Sequence, residues 1–178
     1  VRELLLQVAE YWVKEGIDGW RLDVPQEIDD APFWQEFRRR VRAQNPEAYL
    51  VGEIWTHAAE WLQGDRFDAV MNYPFSRNLL GFLGGGALDK RFTPGGFPLV
   101  EMSGTELARD LESHLEGYLP ETNRVQLNLL GSHDTPRLLT LLSGDRGRAA
   151  LATLFLFLLP GAPSIYYGDE VGMSGGDD

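Results

Sequence analysis

Apolar positions near the start of the chain recur at a helical interval. Leu4, Leu5, Val8, Tyr11 and Trp12 follow a 3.6-residue period, so 2–15 reads as an amphipathic helix. Gly16 supplies its stop. The period then falls to two. In GWRLDV, residues 19–24, Arg21 and Asp23 share one face of a strand, while Trp20, Leu22 and Val24 share the other. Pro32 opens a second helix, about 32–44, which Asn45-Pro46 ends. YLVGEI, 49–54, and DAVMNY, 68–73, read as short strands. Residues 81–98, rich in Gly and Pro, read as a long loop or a pair of short turns. Helical spacing returns over 103–117. VQLNLLG, 125–131, is a strand, and 145–159 is a strongly apolar helix stopped by Pro160-Gly161. PSIYYGDE, 163–170, is the last strand.

Strands that alternate with helices imply parallel pairing and right-handed crossovers. Runs such as LVGEI and VQLNLL suit strands covered on both faces. Five strands fit either a doubly wound open sheet or part of an eight-stranded barrel. No repeat at solenoid spacing is present. The chain opens on Val1-Arg2-Glu3-Leu4, already inside a helical pattern, and closes on GMSGGDD, a loop cut short. The expectation is a segment of a longer polypeptide.

Polar residues collect at the strand ends. Asp23 stands near the end of the first strand and Glu53 at the end of the second. Asn72 and Tyr73 close 68–73, His133-Asp134 follow 125–131, and Asp169-Glu170 close the last. In parallel α/β folds the carboxyl ends of the strands carry the active site. Composition narrows the chemistry. A net charge of −11 over 178 residues repels phosphate backbones and argues against nucleic acid. Without cysteine there is no disulfide, thiolate nucleophile or cysteine-ligated metal, and three histidines leave little for zinc. The longest apolar run, 149–159, is far short of the roughly 20 residues a membrane span needs, so it reads as a buried helix. No dinucleotide fingerprint or phosphate loop is present, and GFLGGG has no Lys-Ser/Thr after it.

Two carboxylate chemistries remain. One is Mg²⁺ or Ca²⁺ held by oxygen ligands. The other is glycoside hydrolysis by a nucleophile and a proton donor. Trp20, Trp55, Tyr73, Tyr166 and Tyr167 fall at or beside the strand ends and favour the second, because sugar rings stack on aromatic faces and hard metals gain nothing from them. Trp20, opposite Asp23, is itself expected in the core. From the residues alone, Arg21–Asp23 is equally well a structural ion pair. His133-Asp134 is equally well a helix-capping loop, since Asp before Thr-Pro suits a helix start.

GWRLDV, VGEIW and GSHDTPR resemble, in order and spacing, three conserved regions of the α-amylase family, glycoside hydrolase family 13. PGAPSIYYGDE is similar to that family's eighth barrel strand. GEIW…WLQGDRFDAVMNYPF and GMSGGDD are most similar to its cyclomaltodextrinase, neopullulanase and maltogenic amylase group. The resemblance spans nearly the whole chain. It implies an α/β fold, a partial (β/α)8 TIM-type barrel with parallel strands four to eight and flanking helices. Residues 1–178 would be a single catalytic-domain segment with strands one to three absent, since a complete barrel takes roughly 200 residues or more.

The resemblance also implies a function. It points to a retaining glycoside hydrolase acting on α-glucosidic bonds of maltodextrin, cyclomaltodextrin, starch or pullulan, by double displacement through a glycosyl-enzyme. Asp23 matches the nucleophile, Glu53 the general acid/base and Asp134 the acid that stabilises the transition state. Arg21 matches the arginine that keeps the nucleophile ionised, and His133 a histidine bonded to the donor-side sugar. Trp55 would stack on the acceptor side, Asn72 and Tyr73 would add substrate contacts, and Asp178 falls at a donor-side acid. Glu27 lies in the region after the nucleophile, where VPQE departs from the group's small-residue pattern. On this view Arg21 holds Asp23 charged, while desolvation at the end of an apolar run keeps Glu53 protonated. The two carboxyl groups would stand about 5–5.5 Å apart, against about 6.5–9.5 Å for inversion. All three acids would converge on one mouth.

The implied partner is an α-glucan oligosaccharide, with neither nucleic acid nor membrane, and the expected location is the cytoplasm, secretion being left open. No cofactor is expected in this segment. Calcium belongs to a small domain that the family inserts after its third strand. Two rival readings stand beside this one. The first is a non-catalytic sugar-binding or assembly fragment, whose open sheet edges would pair with another copy as a homodimer. The second is an acidic Mg²⁺ site of phosphotransfer type.

Overall fold

The computed structural model describes residues 1–88, 91, 93 and 98–176. Contacts divide the chain into two compact units, 1–71 and 72–178.

In the first unit, helix α1 (Arg2–Lys14) ends where the sequence predicts. Gly16 adopts a φ of +106°, and the Gly16 and Ile17 amides donate back to the carbonyls of Val13 and Trp12. That paired closure needs a left-handed residue, which glycine supplies without a Cβ clash. The face that α1 buries differs from expectation. Leu6, Ala9 and Val13 are buried, whereas Leu4, Leu5, Val8, Tyr11 and Trp12 are exposed. The apolar stripe is wide enough to wrap around the helix. Packing against Trp20, whose Nε1 donates to the Ala9 carbonyl at 3.3 Å, selects one side of it. Helix α2 (Ala31–Gln44) is capped by Asp30, whose side chain accepts from the Phe33 amide at 3.0 Å. Its buried face is aromatic: Phe33, Trp34 and Phe37, with Val41. Trp34 meets Phe67 at 5.3 Å, and Trp61 stacks on Phe67 at 5.5 Å. Trp20 meets Phe37 at 6.4 Å, which places it in packing surface as predicted.

Strands β1 (Gly19–Leu22), β2 (Tyr49–Gly52) and β3 (Ala69–Val70) form one parallel sheet in that order. Arg21 lies opposite Val51 and Leu22 opposite Gly52. β1 and β2 are shorter than the runs predicted for them, because pairing stops where Asp23 and Glu53 begin. The expected strand 68–73 shrinks to two residues. Asp68 accepts from Arg42 at 2.7 Å and from the Leu50 amide at 2.9 Å, and makes an ion-pair contact with Arg38 at 2.9 Å. This charged knot at the strands' entry end ties α2 to the sheet.

In the second unit, Asn72 does not close a strand. It caps helix α3 (Tyr73–Gly84), which corrects both the strand reading at 72–73 and the loop reading at 81–84. Pro74 hid this helix: it reads as a breaker but sits in the first turn, where its missing amide costs nothing. Helix α4 (Gly104–Glu116) opens on a reciprocal cap between Ser103 and Glu106. Two short helices, α5 (Pro120–Asn123) and α6 (Leu138–Leu141), escaped the periodicity reading because each is a single turn. Helix α7 (Arg146–Leu158) forms where expected, but it is not the buried helix its apolar run suggested: Ala152 and Leu156 are buried, whereas Leu151, Leu154, Phe157 and Leu158 are exposed. Strands β4 (Leu127–Leu129) and β5 (Ala162–Ser164) pair in parallel. The last strand therefore stops at Ser164 rather than running to 170. Before β5, Gly161 has a φ of +134°, and a Cβ there would stand 2.4 Å from the Asn128 amide nitrogen. Leu79, Leu83, Leu130, Leu142 and Leu156 are central to the core of this unit, which joins α3, α6, α7 and the end of β4.

Candidate active site

The register of the first sheet sets the acidic corner. Parallel pairing of Leu22 with Gly52 sends Asp23 and Glu53 out of the sheet side by side, and the Glu53 amide donates to the Leu22 carbonyl at 2.8 Å. Arg21 reaches both acids. Its Nη1 is 2.5 Å from Asp23 Oδ1, and its Nη2 makes an ion-pair contact with Glu53 Oε1 at 2.9 Å. That second contact is charge proximity without hydrogen-bond alignment. The remaining Glu53 oxygen, Oε2, accepts from the Val24 amide at 3.2 Å. Val24 has φ +30° and ψ +56°, a left-handed conformation that a β-branched residue before proline strongly disfavours. Strain of this kind persists only where the surroundings impose it, and here it aims an amide at Glu53.

The two acids differ in exposure. The Asp23 side chain is 74% exposed and that of Glu53 only 5%. Burial disfavours the charged form of Glu53, and the guanidinium beside it favours that form. The sequence assigned Arg21 to Asp23 alone; the structure has it serve both. Trp55 is half-buried in the bend that follows Glu53, and Glu27 lies in the short 3₁₀ turn Pro25–Glu27 after Val24.

In the second unit, β4 leads into the loop 130–137. The Ser132 amide donates to Thr135 Oγ1 at 2.9 Å, and that hydroxyl donates back to the Ser132 carbonyl at 3.2 Å. The Asp134 amide donates to Ser132 Oγ at 3.2 Å. His133 Nε2 stands 3.3 Å from Asp134 Oδ2, and both side chains are open to solvent. Asp134 caps no helix, since α6 begins at Leu138 with Arg137 in the capping position. The capping alternative therefore falls. Asn72 and Tyr73 are buried. Asn72 Nδ2 donates to Asn128 Oδ1 at 2.8 Å, its Oδ1 accepts from the Phe75 amide, and the Tyr73 hydroxyl lies 3.2 Å from Ser132 Oγ. Their polar atoms hold the fold beneath the loop.

Tyr166 and Tyr167 lie past the end of β5, in irregular backbone, with rings edge-on at 4.7 Å. Burial pushes the nearby Asp169 carboxyl up from its ordinary range, and Arg137 opposes that rise. Asp178 lies outside the described residues. Among the described residues no group of three or more His, Asp or Glu side chains could hold a metal ion, and no helix is long and apolar enough to cross a membrane. The sequence reading missed the holding residues: Val24, Ser132 and Thr135. Only the last two left a signal, a Ser-x-x-Thr spacing able to close a turn through hydroxyls.

The sequence pattern of "Alpha amylase, catalytic domain" matches residues 1–177. The chain belongs to the α-amylase family. It is 49% identical over 179 residues to a cyclomaltodextrinase of Geobacillus thermopakistaniensis, a match covering all of this chain and 28% of that protein. A crystal structure of Ttha1563 from Thermus thermophilus superposes with a TM-score of 0.97 at 57% identity, over 99% of this chain and 38% of that one. A cyclic α-maltosyl-(1→6)-maltose hydrolase of Arthrobacter globiformis, solved with that cyclic sugar, matches with a TM-score of 0.87 at 43% identity, over 99% and 37% of the two chains. The chain thus spans under a third of the length of the curated relatives it matches. Its parallel strands and flanking helices are part of the α-amylase family's (β/α)8 catalytic barrel.

Proposed function

We propose that this chain is a catalytic-domain segment of a retaining glycoside hydrolase acting on α-glucosidic bonds of α-glucans. The observation that carries the reading is the single guanidinium of Arg21 held between an open carboxylate, Asp23, and a buried one, Glu53. A retaining mechanism needs two carboxyl groups in different environments within one site. Asp23, exposed and paired with a cation, is suited to attack the anomeric carbon as nucleophile. Glu53, desolvated and aimed by the Val24 amide, is suited to protonate the leaving oxygen and then to deprotonate water.

Once the glycosyl-enzyme forms, the charge on Asp23 is consumed. Arg21 then faces Glu53 alone and favours its ionised form, which is the form required to activate water. Arg21 is thereby more than a tether: it couples the charge states of the two acids through the cycle. Asp134 supplies negative charge to an oxocarbenium-like transition state, and His133 a hydrogen bond to the donor-side sugar. Trp55 offers an aromatic face on the acceptor side. The sugar chemistry is supported by the relatives' names, cyclomaltodextrinase and cyclic maltosyl-maltose hydrolase.

The test is turnover of maltoheptaose and cyclomaltoheptaose by the protein in its full natural length, beside Glu53→Gln. Loss of an acid/base group is expected to lower kcat by at least about 10²–10⁴-fold with the fold intact. Full activity in that variant, or no turnover of either glucan by the wild type, contradicts the assignment.

A further inference from the structure

The loop after β4 and the stretch after β5 meet at one side chain that no role has yet claimed. Arg137 Cζ stands 4.4 Å from the ring centroid of Tyr166 and 4.4 Å from that of Tyr167. Its Nη1 donates to the Tyr167 carbonyl. Its main-chain amide donates to the Gly175 carbonyl at 3.1 Å, and the Gly175 amide donates in turn to Thr140 Oγ1 at 2.9 Å on α6. One residue thus grips both ends of 166–175. That stretch has little order of its own: one 3₁₀ turn, Asp169–Val171, flanked by Gly168 and Gly172 at positive φ.

Resting on the glucan-cleaving reading, we propose that Arg137 is a positioning residue for glucan binding. It fastens 166–175, with the exposed ring of Tyr167, beside the loop that carries His133 and Asp134. Asp134 has separate support from Ser132 and Thr135, so the clamp acts on substrate binding rather than on the acid itself. The guanidinium is suited to the task because it combines a planar face for the rings with an in-plane donor for the carbonyl. An ammonium is a point charge that cannot do both. Ordering the stretch before sugar arrives removes an entropic cost from binding.

The experiment compares wild type, Arg137→Ala, Arg137→Lys and Tyr167→Ala in the protein at full natural length, with maltoheptaose as substrate. Arg137→Ala is expected to raise KM by about tenfold or more with kcat within about threefold, because uniform binding is lost and transition-state contacts are kept. Arg137→Lys is expected to restore little of it. Tyr167→Ala, which alters only an exposed ring, is expected to raise KM in the same sense by a smaller factor, and it decides the matter should Arg137→Ala fail to fold. Unchanged KM in these variants, a loss confined to kcat, or full rescue by lysine overturns the clamp. A wild type that turns over no glucan overturns the functional reading beneath it, a separate result.

Discussion

The turn after β1 and the loop after β4 each present an aspartate just beyond a parallel strand, and they hold it by different means. Asp23 is held by charge: Arg21 reaches it from within the strand, and the same cation reaches the buried Glu53. Asp134 is held by backbone geometry: the hydroxyls of Ser132 and Thr135 close the loop, and the acid itself contacts His133. A group that must attack and be regenerated benefits from a partner that responds to its charge. A group that only presents a fixed negative charge needs a rigid turn and nothing that neutralises it. The two designs match the two roles proposed for these acids.

The strongest way to break the contrast is to remove the charge from the first corner. Arg21→Met removes the guanidinium from beside both Asp23 and Glu53. Expected are a fall in kcat of about 10²–10⁴-fold and a lower melting temperature, since taking a cation away from a buried carboxylate is costly. Arg21→Lys separates the two effects. It keeps the charge but cannot span both acids, so it is expected to recover much of the stability and little of the activity. Equal recovery of both, seen by calorimetry beside kinetics, would show that charge alone suffices.

The corresponding change in the second loop is milder. Thr135→Val keeps the shape and removes the hydroxyl, leaving the buried Ser132 amide without its acceptor. The expected cost is about 1–3 kcal/mol, with a loss of activity of about tenfold as Asp134 loses its fixed position. A variant that matches wild type in thermal melts and kinetics would show that the loop is held by something else.

How much of this could be read beforehand follows from what each feature writes into the sequence. Asp23, Glu53 and the His133-Asp134 pair stand out because an acid at the end of an apolar run interrupts a pattern. The strand–helix alternation was legible for the same reason. Helix α3 was not, because Pro74 and the glycines at 81 and 84–86 suggest a loop until Asn72 is seen to cap it. The buried side of α1 was also hidden, since a stripe that wraps the helix does not say which part faces the core. Val24 left no trace at all: its conformation belongs to the junction between β1 and the turn Pro25–Glu27, not to its own preference. The double reach of Arg21 depends on the β1–β2 register, which local periodicity does not contain.

The smallest expected effect lies on the helices of the first unit and calibrates what charge does on the surface. Glu36 binds Arg39 and Arg40, which hold its carboxyl down from 4.5 to about 2, and Arg40 also reaches Glu3 across α1 and α2. A lowered carboxyl contributes stability above its unfolded value and loses it as pH falls through the folded one. The melting temperature of wild type should therefore exceed that of Arg40→Met modestly near pH 6, and the gap should close between about pH 4.5 and pH 2. The pairs lie at the surface, with Arg40 and Glu36 partly open to solvent, so added salt should shrink the gap as well. A gap that persists at low pH would assign the effect to the packing of the arginine stem.

The central claim, that Asp23 and Glu53 share one cation because they share one reaction, meets its most direct test in trapping the covalent intermediate. A fluorinated α-glucosyl fluoride that slows hydrolysis of the glycosyl-enzyme, given to Glu53→Gln and to wild type, should leave a sugar on a peptide that fragmentation maps to Asp23. A label on any other residue, or hydrolysis with inversion at the anomeric carbon and no adduct, contradicts the account.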